Sequence, residues 1–399
     1  MKHIKRLKFG QRYSKFQISL ARHKDIKAQR HRVMENSERF FLRHSKEEFK
    51  IEGIIFTIII LFIFLFHGVN CLADWDKGLE LYKQEQYANA SIEFQKIIKN
   101  NPKWASGYYM LALCQLNTGK EKDAMLNFQK TLEFDSNHAG ALFYMGKKYY
   151  ERQKYNEAVE YLTKALTYSK NNAEKKTALT LRGTSNFKLG KYDSSAADFR
   201  ELLLLGSKDA FTYYMLGLSS FNNKDYENAS IAFERAASIE PANREYEMLY
   251  LQSLLNVRKY NDVIKRLENV KMQTEGDQET IKIAADAYLG AKEYKNAILY
   301  YTRLKNPDNV SLFNLAQAYS AQEKFSKAEI ILLKLKEKES RNDKIYDLLG
   351  YIYEKTGKLN ESLEALQKAY NLTRKVKYLE GIKRVKEKIK QQMLDKEIK

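Results

Sequence analysis

The stretch GLSSFNNKDYENASIAFERAASIEP, Gly217 to Pro241, decides the fold. Within it Gly217, Tyr226, Ala229, Phe233 and Pro241 stand at offsets that recur along most of the chain. Upstream the spacing gives Gly78, Tyr87, Ala90, Phe94 and Pro102. It gives Tyr155, Ala158 and Leu162 after Gly146, and Tyr192, Ser195 and Phe199 after Gly183. Downstream it gives Tyr294, Ala297 and Tyr301, then Phe325, Ala328 and Leu332, and finally Gly350, Leu359, Ser362 and Leu366. A copy with Ala112, Ala124 and Phe128 fills 105–138, and a degenerate one with Tyr260, Val263 and Leu267 fills 244–277. The result is nine copies of a unit of about 34 residues, the mark of a stacked repeat.

Packing explains the unit. Two antiparallel helices can cross closely where both present small residues, and a large side chain then fills the gap beside the crossing. One such pair cannot bury its own apolar face, so neighbours must stack. Pro102 and Pro241 stand where one helix has ended and the next is about to begin, where a missing N–H costs nothing. Pro307 does the same ahead of a shortened junction. Repeat starts fall near 71, 105, 139, 176, 210, 244, 278, 309 and 343. Three extra residues therefore sit around Asn171–Lys175, and three are missing around Lys305–Asp308.

The pattern resembles the tetratricopeptide-repeat (TPR) family over roughly residues 71–376. The family places Gly or Ala at the eighth position of the repeat, Ala at the twentieth, an aromatic at the twenty-fourth and Pro at the thirty-second. Here the twentieth position reads Ala90, Ala124, Ala158, Ser195, Ala229, Val263, Ala297, Ala328 and Ser362. The resemblance implies an all-α fold, a right-handed superhelical α-solenoid of about nine helix pairs, and the apolar run ahead of it is expected to add a single transmembrane or signal-type helix. Residues 377–399 add an amphipathic segment, with Tyr378, Ile382, Val385, Ile389 and Met393 on one stripe. It is expected to cap the ninth repeat, with a partner-binding helix as the alternative.

The resemblance also implies where a ligand would lie. In the family the first helix of each pair lines a groove through its second, fifth, ninth, twelfth and thirteenth positions. Carried onto this chain, these give Tyr109, Asn117, Phe143, Tyr150, Phe187, Lys188, Tyr214, Phe221, Asn222 and Asn256 as candidate partner-groove residues in repeats two to six. Rings supply contact area and amides hold a backbone, which suits a protein or peptide ligand. Each ring has an alternative role in packing between repeats. Met248, Gln252, Lys282, Asp286, Phe313 and Gln317 form a more polar continuation in repeats six to eight. The Lys and Asn clamp with which some family members hold a C-terminal carboxylate, Lys at the fifth position and Asn at the ninth, is not found.

No catalytic constellation emerges. The six histidines lack Cys or carboxylate partners at metal-ligand spacing, the glycines follow the repeat rather than a phosphate loop, and no cofactor is implied. Two cysteines, Cys71 and Cys114, build neither a disulfide framework nor a zinc site. Asn89, Asn228 and Asn360 open glycosylation sequons, but they share one repeat position, and periodicity explains them.

The net charge of +19 is local to the N-terminus. Residues 1–52 form a basic arm, and the first fifty carry fifteen Lys or Arg against five Asp or Glu. Such an arm suits anionic lipid. It contains no recognisable nucleic-acid reading module, which disfavours nucleic acid as a partner.

Between arm and repeats, residues 53–73 are apolar except for Thr57, His67 and Asn70. As a helix they span roughly 31 Å, enough for a bilayer core, with Trp75 at the far interface. Arg39, Arg43, Lys46 and Lys50 before the run orient the N-terminus to the cytoplasm and the repeats to the extracytoplasmic side. A cleaved signal is the second reading, because the strongest run, Ile54–Phe66, is the size of a signal core. Lipidation of Cys71 is the third, although Gly68, Val69 and Asn70 match a lipobox poorly. The functional expectation is a non-enzymatic scaffold for protein partners at a membrane. A cytoplasmic-facing adaptor of reversed topology and a secreted or lipidated periplasmic protein are the alternatives.

Overall fold

The computed structural model describes residues 74–269 and 277–397. The basic arm, the apolar run 53–73 and Cys71 lie outside the described residues. The chain divides into two compact units, one up to Ser207 and one from Lys208. The first holds α1 (74–83), α2 (Tyr87–Asn100), α3 (Ala105–Asn117), α4 (Glu121–Phe134), α5 (Ala139–Glu151), α6 (Tyr155–Tyr168), α7 (Asn172–Lys188) and α8 (Tyr192–Leu204). The second holds α9 (Ala210–Asn222), α10 (Tyr226–Ile239), α11 (Arg244–Asn256), α12 (Tyr260–Asn269), α13 (Gln278–Gly290) and α14 (Tyr294–Tyr301). It continues with α15 (Asn309–Ala321), α16 (Phe325–Lys338), α17 (Asp343–Lys355), α18 (Leu359–Thr373) and α19 (Val376–Glu397). Among the described residues there is no strand, and no helix is long and apolar enough to cross a membrane.

Each odd-numbered helix up to α17 pairs with the even-numbered helix after it, and in five of the nine pairs a glycine (Gly78, Gly146, Gly183, Gly217 or Gly350) sets how closely they meet. A Cβ on Gly217 of α9 would come 2.6 Å from the Phe233 ring of α10, and one on Gly78 would come 2.9 Å from Phe94. The rings occupy the volume that the missing side chains leave, and both are fully buried. The remaining apolar faces are covered only by the next repeat. Leu251 and Val263 pack with Ile283 and Ala284 of the following pair, and Leu332 packs with Ile345 and Leu349.

The turn inside every pair has one geometry that composition conceals. Its second-last residue is left-handed in all nine: Glu85, Gly119, Gln153, Gly190, Lys224, Arg258, Lys292, Glu323 and Gly357, with φ between 55° and 80°. The following N–H then reaches back five residues to close the first helix, as Asp225 to the Ser220 carbonyl at 2.9 Å and Lys154 to that of Tyr149 at 2.9 Å. A side chain in this region costs about 1–2 kcal/mol, partly offset by its smaller unfolded-state entropy than glycine. Lys224→Gly is therefore expected to raise stability by about 0.5–1 kcal/mol. Urea denaturation checks this, and a loss of stability would contradict the strain argument.

Three expectations need correction. First, the helix of repeat four starts at Asn172, ahead of the repeat start near 176, so the extra residues around Asn171–Lys175 lengthen α7 to 17. Asn171 accepts from the N–H groups of Ala173 (2.9 Å) and Glu174 (3.3 Å), and the Ser169 hydroxyl donates to the Glu174 carboxylate at 2.7 Å, which fixes the earlier start. Second, the deficit near Lys305–Asp308 is taken mostly from α14, which has 8 residues where α10 and α16 have 14. Asp308 then caps α15 by accepting from Ser311 N–H at 2.7 Å. Third, the Trp75 ring, expected to face a membrane interface, is packed inside the first repeat: it is 1% exposed, 5.4 Å from Phe94 and 4.7 Å from Trp104.

The terminal helix α19 covers the ninth repeat. Tyr378, Ile382 and Val385 pack on Tyr346, Leu366 and Ala369, and Ile389 is half-buried beside them. Met393 is 61% exposed, so the stripe makes contact only as far as Ile389. Ion pairs frame the seam: Lys377 with Asp347 at 2.6 Å, and Arg384 and Lys388 with Glu354 at 2.8 and 2.7 Å.

Candidate ligand-binding faces

In the first unit Tyr109 on α3 is half-buried and covers the joint to repeat three. Its ring lies 4.4 Å from His138 and 5.9 Å from Phe128, and a Cβ on Gly140 would meet its hydroxyl at 2.5 Å. His138 caps α5 through Nδ1, which accepts from Ala141 N–H at 3.2 Å. Phe143 is buried among Leu142, Ala158 and Leu162, so its ring belongs to the core. Tyr150 and Phe187 are half-buried at the ends of their helices, and Lys188 is exposed.

The second unit shows the same division. Tyr214 on α9 donates its hydroxyl to Glu245 Oε1 at 2.6 Å, with its ring 5.0 Å from Tyr246. Burial, reinforced by that carboxylate, pushes the phenol up from its ordinary range. Phe221 is half-buried, while Asn222 and Asn256 are exposed.

Two recurring contacts define what these positions do. The twelfth-position ring meets the aromatic that opens the second helix edge to face: Tyr82 with Tyr87 at 5.2 Å, Tyr150 with Tyr155 at 6.0 Å, Phe187 with Tyr192 at 5.5 Å and Phe221 with Tyr226 at 5.1 Å. Each pair braces the left-handed turn, worth about 0.5–1.5 kcal/mol beyond area. The thirteenth-position amide is partly spent on its own helix. Asn117, Asn222 and Asn256 each donate Nδ2 to the carbonyl four residues earlier, Leu113, Leu218 and Gln252, at 2.8 Å. The sequence signal for the brace was an aromatic on both sides of each turn.

The polar continuation in repeats six to eight is mostly committed to structure. Met248 is buried, Gln252 donates to Glu279 at 3.0 Å, and Lys282 pairs with Asp308 at 2.6 Å. Asp286 accepts from the Tyr301 hydroxyl and, at 3.1 Å, from Asn314. Burial raises its carboxyl despite those two donors. Phe313 and Gln317 instead line a cleft of about 640 Å³ shared by α15, α17 and α19. The sequence reading stopped short of this cleft because half of its wall comes from repeat nine and the terminal helix.

Chemically these are contact surfaces. Among the described residues no three His, Cys, Asp or Glu side chains gather to hold a metal ion. Burial pushes the Cys114 thiol up to about 12, which leaves it protonated and unreactive at neutral pH.

The chain matches a family model described as anaphase-promoting complex, cyclosome, subunit 3, at residues 83–165 and 222–301. Tetratricopeptide-repeat models match at 143–211, 180–244 and 343–376. It is 29% identical over 99 residues to Hsp70-Hsp90 organizing protein 1 of Glycine max, covering 25% of this chain and 17% of that protein. A TPR repeat-containing protein of Methanocaldococcus jannaschii is 22% identical over 338 residues, 79% of this chain and 52% of the relative. The chain thus spans about half or less of these relatives' lengths. Among solved structures, the C-terminal part of a TPR repeat-containing protein from Cytophaga hutchinsonii has a TM-score of 0.47 at 17% identity, covering 60% of this chain and 99% of that one. Yeast Tom70 has a TM-score of 0.36 at 15% identity, covering 82% and 99%. The recurring spacing, the stacked helix pairs and the matching repeat models together place the chain in the tetratricopeptide-repeat superfamily.

Proposed function

We propose that the chain is a non-enzymatic scaffold that holds protein or peptide partners on the first-helix faces of its repeats, tethered to a membrane with the repeats on the extracytoplasmic side. The observation that carries the reading is the set of half-exposed rings, Tyr109, Tyr150 and Phe187 in one unit and Tyr214 and Phe221 in the other. Packing needs one edge of each ring and leaves the rest for a ligand. The matched relatives are named as an organiser of two other proteins and as a subunit of a complex, which is in keeping with a scaffold.

The tether rests on the apolar run 53–73 and on the Arg and Lys residues that precede it. The basic arm would then meet anionic lipid on the cytoplasmic face. Alkaline phosphatase fused after Lys399 is active in this orientation and inactive in the reversed one. Loss of an N-terminal tag from the mature protein would establish cleavage instead.

Partner capture is tested by crosslinking on the membrane fraction. Tyr109→Ser with Tyr150→Ser, and separately Tyr214→Ser with Phe221→Ser, spare the buried Phe143. Each double variant is expected to lower recovery of crosslinked partners at least tenfold while circular dichroism stays helical. Undiminished recovery from both, with the helical signal intact, would remove the rings from the ligand face.

A further inference from the structure

We propose that the outward face of α14 and α16 docks on a membrane surface of anionic phospholipid, its aliphatic side chains entering the interface and its cations meeting the headgroups. The proposal takes from the tether reading only the presence of a membrane beside the repeats. Its residues lie on second helices, apart from the rings tested above.

The face is defined by what lies opposite it. Ala297 and Tyr301 of α14 and Ala328, Leu332 and Leu335 of α16 are buried in the body of the array. On the far side Leu299 is 47% exposed, Ile330 57% and Leu333 38%. Ile298 and Tyr300 of α14 and Ile331 of α16 pack on one cluster, so the two helices are joined through it. Leu299 and Ile330 are the sequence neighbours of those residues and carry apolar surface outward from both helices.

Charge separates this face from its counterparts. Lys295, Lys327, Lys334, Lys338 and, just past the end of α14, Arg303 stand exposed on it against Glu337, a surplus of four. The flanking turns, Lys292 with Glu293 and Glu323 with Lys324, add no net charge, and Glu329 at the edge is paired with Lys358 at 3.0 Å. Arg303 and Lys327 lie over the Tyr300 and Tyr319 rings, 5.3 and 5.7 Å from their centres. The equivalent positions of α10 carry Glu227 and Glu234 against Arg235, and those of α18 carry Glu361 and Glu364 against Lys368. On α12, as far as it is described, Asp262 and Glu268 stand against Lys265. Each of these three faces has a deficit of one. The α10 face also exposes Ile231 and Ile239, so it offers apolar surface without the positive charge.

Exposed aliphatics set among surplus cations are what an in-plane membrane contact uses. The aliphatics enter the boundary between headgroups and acyl chains, and the lysines stretch back to the phosphates. Each cation held near an anionic leaflet adds an attraction that salt weakens. A neutral bilayer leaves that surplus unanswered. An acidic protein could answer the charge, but it would also need fixed apolar contacts matched to Leu299, Ile330 and Leu333 on two helices. A lipid surface receives all three without a fixed shape.

The test uses the full chain with Cys71→Ser, which leaves Cys114, whose buried thiol stays protonated, as the remaining native cysteine. A thiol-reactive fluorophore is placed at Ser326→Cys on α16 and, in a second protein, at Ser238→Cys on α10. Both are reconstituted into vesicles of phosphatidylcholine and phosphatidylglycerol with brominated acyl chains, the same in both leaflets, so either direction of insertion presents the surface. At about 0.05 M salt the label at 326 is expected to lose about half of its fluorescence and the label at 238 less than about a tenth, with the loss shrinking at about 0.5 M. Lys327→Glu with Lys334→Glu, and Ile330→Ser with Leu333→Ser, all at exposed positions, should each cut the quenching at 326 at least threefold. No quenching at 326, equal quenching of the two labels, or quenching that survives the lysine reversals overturns the proposal. A label at 326 that responds to polyglutamate and not to the vesicles makes this an acidic-protein site and overturns it as well. The label reads the face whether or not residues 53–73 anchor the chain. Flotation with pure phosphatidylcholine vesicles tests the tether alone, so failure of one reading remains distinguishable from failure of the other.

Discussion

Phe233→Ala is expected to destabilise the second unit by about 3–5 kcal/mol, among the largest effects available to one substitution in this chain. The ring is fully buried. It fills the space opposite Gly217 and lies 6.3 Å from Tyr214 and 6.4 Å from Phe221. Its removal leaves a cavity that two rigid helices cannot close. Gly217→Val attacks the same space from the other side, since even a Cβ would come 2.6 Å from the ring, and should cost about 1–3 kcal/mol or more. Repeat eight shows how the pair can be rebuilt, because Ala316 and Leu332 occupy the corresponding positions and both are fully buried. Gly217→Ala combined with Phe233→Leu should therefore lose less than the two single changes added. Urea denaturation of the four proteins provides the cycle. Additivity within about 0.5 kcal/mol would mean that the two positions do not share one volume.

The second large effect concerns the terminal helix. Val385→Asp places a charge where the side chain is fully buried between Tyr378, Tyr346 and Leu366, and should cost about 3 kcal/mol or more. In a stacked array that loss is felt first at the end. Hydrogen exchange should show α19 unprotected while α9 to α14 keep their protection. Acid should act on the same seam. Hydrogen bonding from Arg384, with Lys388 adding to it, holds the Glu354 carboxyl at about 2 against the opposing effect of burial. A carboxyl lowered on folding stabilises fully above its unfolded value near 4.5 and loses that contribution as pH falls towards 2. Protection of α19 is thus expected to weaken between about pH 4.5 and 2, and to do so less in Glu354→Gln. Identical acid profiles for the two proteins would remove Glu354 from the docking of α19.

The helix pairs were legible because their determinants lie close in sequence. Gly217 and Phe233 sit within one repeat, and a small residue facing a large one is a signal that survives degeneracy elsewhere. The left-handed turn was not legible, because six of its nine positions carry Glu, Gln, Lys or Arg rather than glycine. Stacking holds those residues in a conformation that their own preferences oppose. The start of α7 escaped for a related reason: Asn171 and Ser169 compete successfully with the spacing of the repeat.

The candidate faces were legible as positions but not as roles. Tyr109, Phe143 and Tyr150 read alike in sequence, yet Phe143 is core, Tyr150 braces a turn and Tyr109 covers a joint. Sequence by itself determined the all-helical repeat and the helix faces on which candidate side chains fall, since both follow from spacings within one pair. Tertiary structure alone decided which rings remain accessible and where the cleft opens. Those properties depend on what the next repeat and the terminal helix bring, about 30 residues further along the chain, and no local pattern encodes that neighbour.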